Sequence, residues 1–203
     1  MADPQWLAAA KQEVREAELR QQVLQLDLEE IDQTAGTPRM DLAAPLVGGR
    51  DLVTARLELQ RAGAAERLAN LRDAEAHMAT LAEWGRVSLG ERDETRVEVI
   101  RAEHDLAVLD QKILWRARFH AGEVAGTQVD LLAKRDETVQ QLEASRARVK
   151  ALQENLARAR ALYEGGVLTS AELRRAEVAL KQAEAEVRRA EIEIALLDDQ
   201  LAR

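Results

Sequence analysis

The sequence predicts an all-α protein built from long antiparallel helices that pair as elongated coiled-coil hairpins. Three observations predict it. Charged residues make up 33% of the 203 residues and aromatics only 2%, so the aromatic filling of an ordinary compact core is missing. The apolar content is largely Ala, Leu and Val interleaved with Glu and Arg, the mixture of long helices and coiled coils. Nine of the ten glycines fall in four places: Gly36 with Gly48 and Gly49, Gly85 with Gly90, Gly122 with Gly126, and Gly165 with Gly166.

Between those breaks the sequence predicts five helices, near 4–33, 51–84, 89–118, 129–164 and 170–202. The first opens with Asp3 as N-cap and Pro4 in the first turn. It carries Ala10, Val14, Ala17, Leu24, Leu28 and Ile31 at alternating three- and four-residue steps, with Gln21 at one seam position. Pro38, Pro45 and the first glycines close it, and 1–50 reads as an N-terminal helix with its loop. The second helix contains Gly63, at a cost of roughly 1 kcal/mol relative to Ala. The third has Val99, Ala102, Leu106, Leu109 and Ile113 in the same rhythm, and 51–120 reads as a first hairpin with its tip near 85–88. The fourth has Leu142, Ser145, Val149, Leu152, Leu156 and Ala159. The fifth has the longest a/d seam, Leu173, Ala176, Leu180, Ala183, Val187, Ala190, Ile194, Leu197 and Leu201. Together 121–203 reads as a second hairpin with its tip near 165–169.

The seams set the pairing. Folding at Gly165–Gly166 matches residues whose numbers sum to 332, so Leu152 meets Leu180 and Leu156 meets Ala176. Folding at Gly85 with the sum 170 matches Leu71 with Val99 and Leu68 with Ala102. A helix of about 33 residues is about 50 Å long. The two halves are related by a constant offset of 81, through which Leu71, Leu81, Gly85, Glu91, Ala102 and Ile113 recur as Leu152, Leu162, Gly166, Glu172, Ala183 and Ile194. Both turns are built alike: a glycine stop, a short piece (Arg86–Val87 or Val167–Leu168), and a capping box, Ser88 with Glu91 and Thr169 with Glu172.

The stretch from Arg158 to Ala176, with Arg158, Leu162 and Thr169 at fixed spacing, resembles the hairpin tip of periplasmic adaptor (membrane fusion, HlyD-like) proteins of tripartite efflux pumps and type I secretion systems. That family's signature is Arg, three residues, Leu, six residues, Ser; here Thr169 stands for the Ser. The earlier turn reads His77, Leu81, Ser88, with His for the Arg. The resemblance implies that these six residues dock onto an outer-membrane channel, that an inner-membrane transporter is a further partner, that the chain forms homo-oligomers, and that it works in the periplasm. It covers the helical region alone and carries no lipoyl-like or β-barrel domain. The same stretch is similar, less closely, to the helix turns of TolC-type channels.

Other chemistry is thinly represented. A net charge of −8 and a pI near 5.1 lack the basic footprint that phosphates require, which argues against nucleic acid. No cysteine is present, which removes disulfides and thiolate metal sites. No run approaches the roughly 20 apolar residues of a membrane span, and the N-terminus lacks the pattern of a signal peptide. His77, His104 and His120 fall at separate places, so no metal or other cofactor is expected. No phosphate loop, nucleophile elbow or triad is readable, so no enzyme is expected. Trp6, Trp84, Trp115, Phe119 and Tyr163 gather near helix ends. Two alternatives stand beside the docking module: a cytosolic structural coiled coil whose turns merely reverse the chain, and a channel-type helical-barrel segment.

Overall fold

The computed structural model describes residues 4–84, 86 and 89–203, and the side chains of 10–84, 86 and 95–203. Among the described residues there are five helices: α1 (Pro4–Thr34), α2 (Leu52–Glu83), α3 (Leu89–His120), α4 (Gly126–Glu164) and α5 (Ser170–Leu201). No strand occurs among them, only an isolated bridge between Val47 and Arg50. The chain divides into two compact units, Met1–Asp130 and Leu131–Arg203, so the first turn of α4 belongs to the first unit.

In the first unit, α2 begins at the N-cap Asp51, whose carboxylate accepts from the Thr54 N–H at 3.0 Å. Leu52, Val53 and Leu57 are buried in its first turns. Farther along, Leu68 of α2 packs with Val99 and Ala102 of α3, flanked by Leu71 and Leu106. Arg61 pairs with Asp110, and Arg72 with Glu103 at 2.7 Å.

The segment 35–51 is held by two arginines. Arg56 and Arg116 are both fully buried. Arg56 Nη2 lies 2.5 Å from Glu30 Oε2 and Nη1 donates to the Arg39 carbonyl at 3.1 Å. Its Nε stands 2.6 Å from Asp27 Oδ1, near enough for charge attraction but not aligned as a hydrogen bond. Arg116 donates through Nη1 to the carbonyls of Leu42 (2.8 Å) and Ala44 (3.1 Å), and through Nε to Asp51 Oδ1 at 2.7 Å. Main-chain carbonyls in a coil segment must find donors once they leave water, and these guanidiniums supply them. Leu42 N–H donates to Asp130 Oδ1 at 2.8 Å, tying the segment to the start of α4. Val47 and Arg50 exchange main-chain bonds of 2.9 Å in both directions about Gly48 and Gly49. Both glycines have positive φ, as a two-residue reversal of this kind demands.

The expected α1 seam is corrected. Val14, Ala17, Gln21, Leu24, Leu28 and Ile31 are all exposed, Leu24 at 61% and Leu28 at 60%. α1 instead turns Leu19 and Glu30 inward. Two contacts fix that rotation. Leu19 Cδ1 rests where a Cβ on Gly63 would be only 3.1 Å away. Asp27 and Glu30, three residues apart and so on one face, both serve the buried Arg56. A buried guanidinium left without its carboxylates costs several kcal/mol, which ties α1 to this rotation. α1 then ends on Ala35, at φ 52, a left-handed conformation that costs a residue with a Cβ about 1 kcal/mol.

In the second unit the expected α4 positions from Leu142 to Ala159 are all buried or half-buried, as are the α5 positions from Leu173 to Leu201. Ala183 is fully covered and Ala190 and Leu197 nearly so. Ion pairs join the two helices: Arg135 to Asp198 at 2.5 Å, Arg146 to Glu191 at 2.8 Å and Arg148 to Glu186 at 2.8 Å.

Candidate functional site

The turn between α4 and α5 carries Arg158, Leu162 and Thr169. α4 stops because its last carbonyls are taken up by the turn itself. Val167 N–H donates to the Leu162 carbonyl at 2.9 Å and Gly166 N–H to that of Tyr163 at 3.0 Å. Gly166 sits at φ 72, the left-handed residue of a Schellman stop. Leu168 N–H also reaches the Leu162 carbonyl, at 3.3 Å, so Leu162 is bound to the piece that crosses to α5.

α5 then starts on Thr169, in extended backbone at φ −82 and ψ 158. The Thr169 hydroxyl accepts from Glu172 N–H at 3.3 Å, and Thr169 N–H donates to Glu172 Oε2 at 2.8 Å. The capping box read from the sequence is therefore complete. The backbone N–H of Thr169, and then its hydroxyl, hold the Glu172 carboxyl below the usual carboxylate range.

The turn leaves apolar surface uncovered. Val167 is 74% exposed, Leu162 46% and Tyr163 44%. Arg158 is exposed and donates to the Asn155 side chain, one turn back along α4. Thr169 is exposed as well. Leu162 is thus gathered with the crossing piece, while Arg158 and Thr169 each make a local bond on their own helix.

At the turn after α2, His77 is exposed and Leu81 half-buried. Arg86 N–H donates to the Leu81 carbonyl at 2.9 Å, the counterpart, 81 residues earlier, of the bond from Val167 to Leu162. Trp84 is 65% exposed, with the Arg86 guanidinium 5.5 Å from its ring centre. Ser88 and Gly85 lie outside the described residues, as does the Glu91 side chain.

A second polar centre, unforeseen, surrounds Asp51. It accepts from Thr54 N–H and hydroxyl, from Arg116, and lies 3.3 Å from His120 Nε2. Burial pushes its carboxyl up, and the bonds from Arg116 and Thr54 outweigh that and hold it below its ordinary value. One clue was available: Arg116 follows Ile113 by three, on the seam phase of the third helix, where a charge needs an internal partner. Its roles here are capping and anchoring of the 35–51 segment. Among the described residues no three His, Asp or Glu side chains converge as metal ligands, and no helix is long and apolar enough to cross a membrane.

No family model matches the chain, and neither a curated protein nor a solved structure does.

Proposed function

We propose that this chain is a non-enzymatic coiled-coil module of a bacterial export or efflux assembly, which docks through the turn between α4 and α5 onto an outer-membrane channel. The observation that carries the reading is the apolar cluster Leu162, Tyr163 and Val167, exposed on a turn whose backbone is fixed by its own hydrogen bonds. A turn that only reverses the chain has no need of three large apolar side chains in water, whereas a rigid apolar anchor suits a protein contact. Arg158, Leu162 and Thr169 stand there at the spacing of the adaptor signature.

The same reading makes each helix pair an antiparallel coiled-coil hairpin. Its support is the descending order of the ion pairs. Arg61 reaches Asp110 and Arg72 reaches Glu103, while Arg135, Arg146 and Arg148 reach Asp198, Glu191 and Glu186. The structural coiled coil is the second reading, and one observation favours it: Arg158 and Thr169 already have partners on their own helices.

The test is a double change, Arg158→Asp with Leu162→Asp, in cells carrying the complete gene. Both residues are exposed, so helicity by circular dichroism should hold. Capture of the channel protein and transport should each fall at least about tenfold, because a reversed charge and a buried carboxylate are both costly at an interface. Unchanged capture and transport by a folded double variant would leave the structural reading standing. His77→Asp in the same assays shows whether the first turn also binds.

A further inference from the structure

The outward face of α1 has the rhythm of a coiled-coil seam, and none of the described residues covers it from Val14 onward. Ala10, Val14, Ala17, Gln21, Leu24, Leu28 and Ile31 alternate by four and three, placing Val14, Gln21 and Leu28 at a and Ala10, Ala17, Leu24 and Ile31 at d. From Val14 onward these residues are exposed. They lie roughly 140° around the helix from the face built on Leu19 and Glu30, so α1 has one seam turned inward and another turned out.

The flanking charges say what fits. Position e holds Lys11, Glu18, Gln25 and Asp32, and position g holds Glu13, Arg20 and Asp27. A second copy laid parallel sets g against e five residues on. That brings Glu13 onto Glu18 and Asp27 onto Asp32, each twice. A second copy laid antiparallel sets g against g and e against e. In the register whose numbers sum to 45, Val14 faces Ile31, Ala17 faces Leu28 and Gln21 faces Leu24. Arg20 then meets Asp27, whose Oδ1 also faces Arg56 of its own chain, and Lys11 meets Asp32, each twice, and Glu18 meets Gln25. Sliding by one heptad either way destroys this. One slide brings Asp27 onto itself and Glu18 onto Asp32; the other brings Arg20 and Glu18 each onto themselves. Opposite charges therefore select one orientation and one register.

We propose that two copies of this chain pair antiparallel through the outward seam of α1, with Leu24 and Leu28 at the centre and the pairs Arg20–Asp27 and Lys11–Asp32 on the flanks. About three heptads are short for a free coiled coil, but α1 is already helical against α2, so pairing is spared the cost of helix nucleation. The inference does not depend on docking at the α4–α5 turn. Antiparallel first units turn their α2–α3 ends away from each other.

Sedimentation of the 203-residue chain across two decades of concentration tests it. The mass should rise from 22.6 kDa to about twice that. Leu24→Glu with Leu28→Glu should keep the chain monomeric with unchanged helicity, since both side chains are exposed. Lys11→Asp and Asp32→Lys should each weaken the dimer several-fold, and the two together should restore it. The chain has no cysteine of its own, so Ala17→Cys with Leu28→Cys reports the register. These positions are about 16 Å apart along one helix, too far to bridge within a chain, and should oxidise to a covalent dimer, whereas Ala17→Cys alone should not. A monomer at every concentration overturns the proposal and leaves the seam to a different chain. A dimer indifferent to the two Leu changes, or one crosslinked by Ala17→Cys alone, overturns it equally.

Discussion

A guanidinium removed from water needs its five donors met, and Arg56 and Arg116 show what that need organises. Each takes carboxylates on one side and main-chain carbonyls of the 35–51 segment on the other. Asp51 holds the second of these centres, and its lowered pKa has a consequence for acid stability. The unfolded carboxyl titrates near 3.9, and the folded one lies lower. The folded state therefore gains from Asp51 at every pH above the unfolded value, and loses that gain as pH falls through the folded value. Asp51→Asn keeps a good N-cap but removes the charge facing Arg116, and should destabilise by about 2 kcal/mol at pH 7. Thermal melts of both proteins over a pH series should show the gap narrowing in acid. A gap as wide at pH 3 as at pH 7 would mean that the charge is not its source. This much was half legible. Arg116 sits on a seam phase and invites the question of a partner, but Arg56 stands beside that phase, and its partners are 26 and 29 residues away along the chain, where no local pattern points to them.

At the level of the element, helix ends were legible wherever chemistry marks them. Thr169 with Glu172 and Gly166 at the α4 stop were readable because capping and left-handed stops use few residue types. The start of α4 was misplaced from Gly126 to 129 because Gly126 is chosen for space: a Cβ there would lie 3.3 Å from the Phe119 ring and 3.4 Å from Ala43. The heptad rhythm of α1 is real but faces outward, and periodicity alone does not say which face of a helix is covered. Gly63 belongs to the rotation of α1. Gly63→Ala gains about 1 kcal/mol of helix propensity, but its new methyl must displace Leu19 Cδ1, 3.1 Å away. The substitution alone should fall within about 0.5 kcal/mol of neutral, and should stabilise by about 1 kcal/mol once Leu19→Ala has cleared the space. Urea unfolding of the four proteins gives the coupling. Equal effects of Gly63→Ala in both backgrounds would show that Leu19 does not press on this site.

For the whole molecule, the two units differ in how far apart in sequence their partners are. In the second unit, the covered positions of α4 and α5 recur at three- and four-residue steps, and a rhythm of that kind can be read from periodicity. In the first, Arg116 reaches back 74 and 72 residues to the Leu42 and Ala44 carbonyls, so the segment 35–51, which reads as a linker from its Gly and Pro content, is part of the core. Leu42 and Ala44 are among its most buried residues. Insertion tolerance should therefore run opposite to composition. Loops rich in glycine and proline are the customary places to splice in extra chain, because their backbone groups are usually met by water. Four residues of Gly and Ser added after Ala43 would pull apart two carbonyls that share one guanidinium, and should lower the melting temperature by about 5 °C or more. The same four residues after Leu168, beyond the bonds that stop α4 and before the capping box of α5, should change it little; equal losses at both sites would refute the distinction. For stability alone, a fluorophore or tag is better placed in the turn between α4 and α5 than in the 35–51 segment, but there it would sit on the apolar cluster proposed to dock.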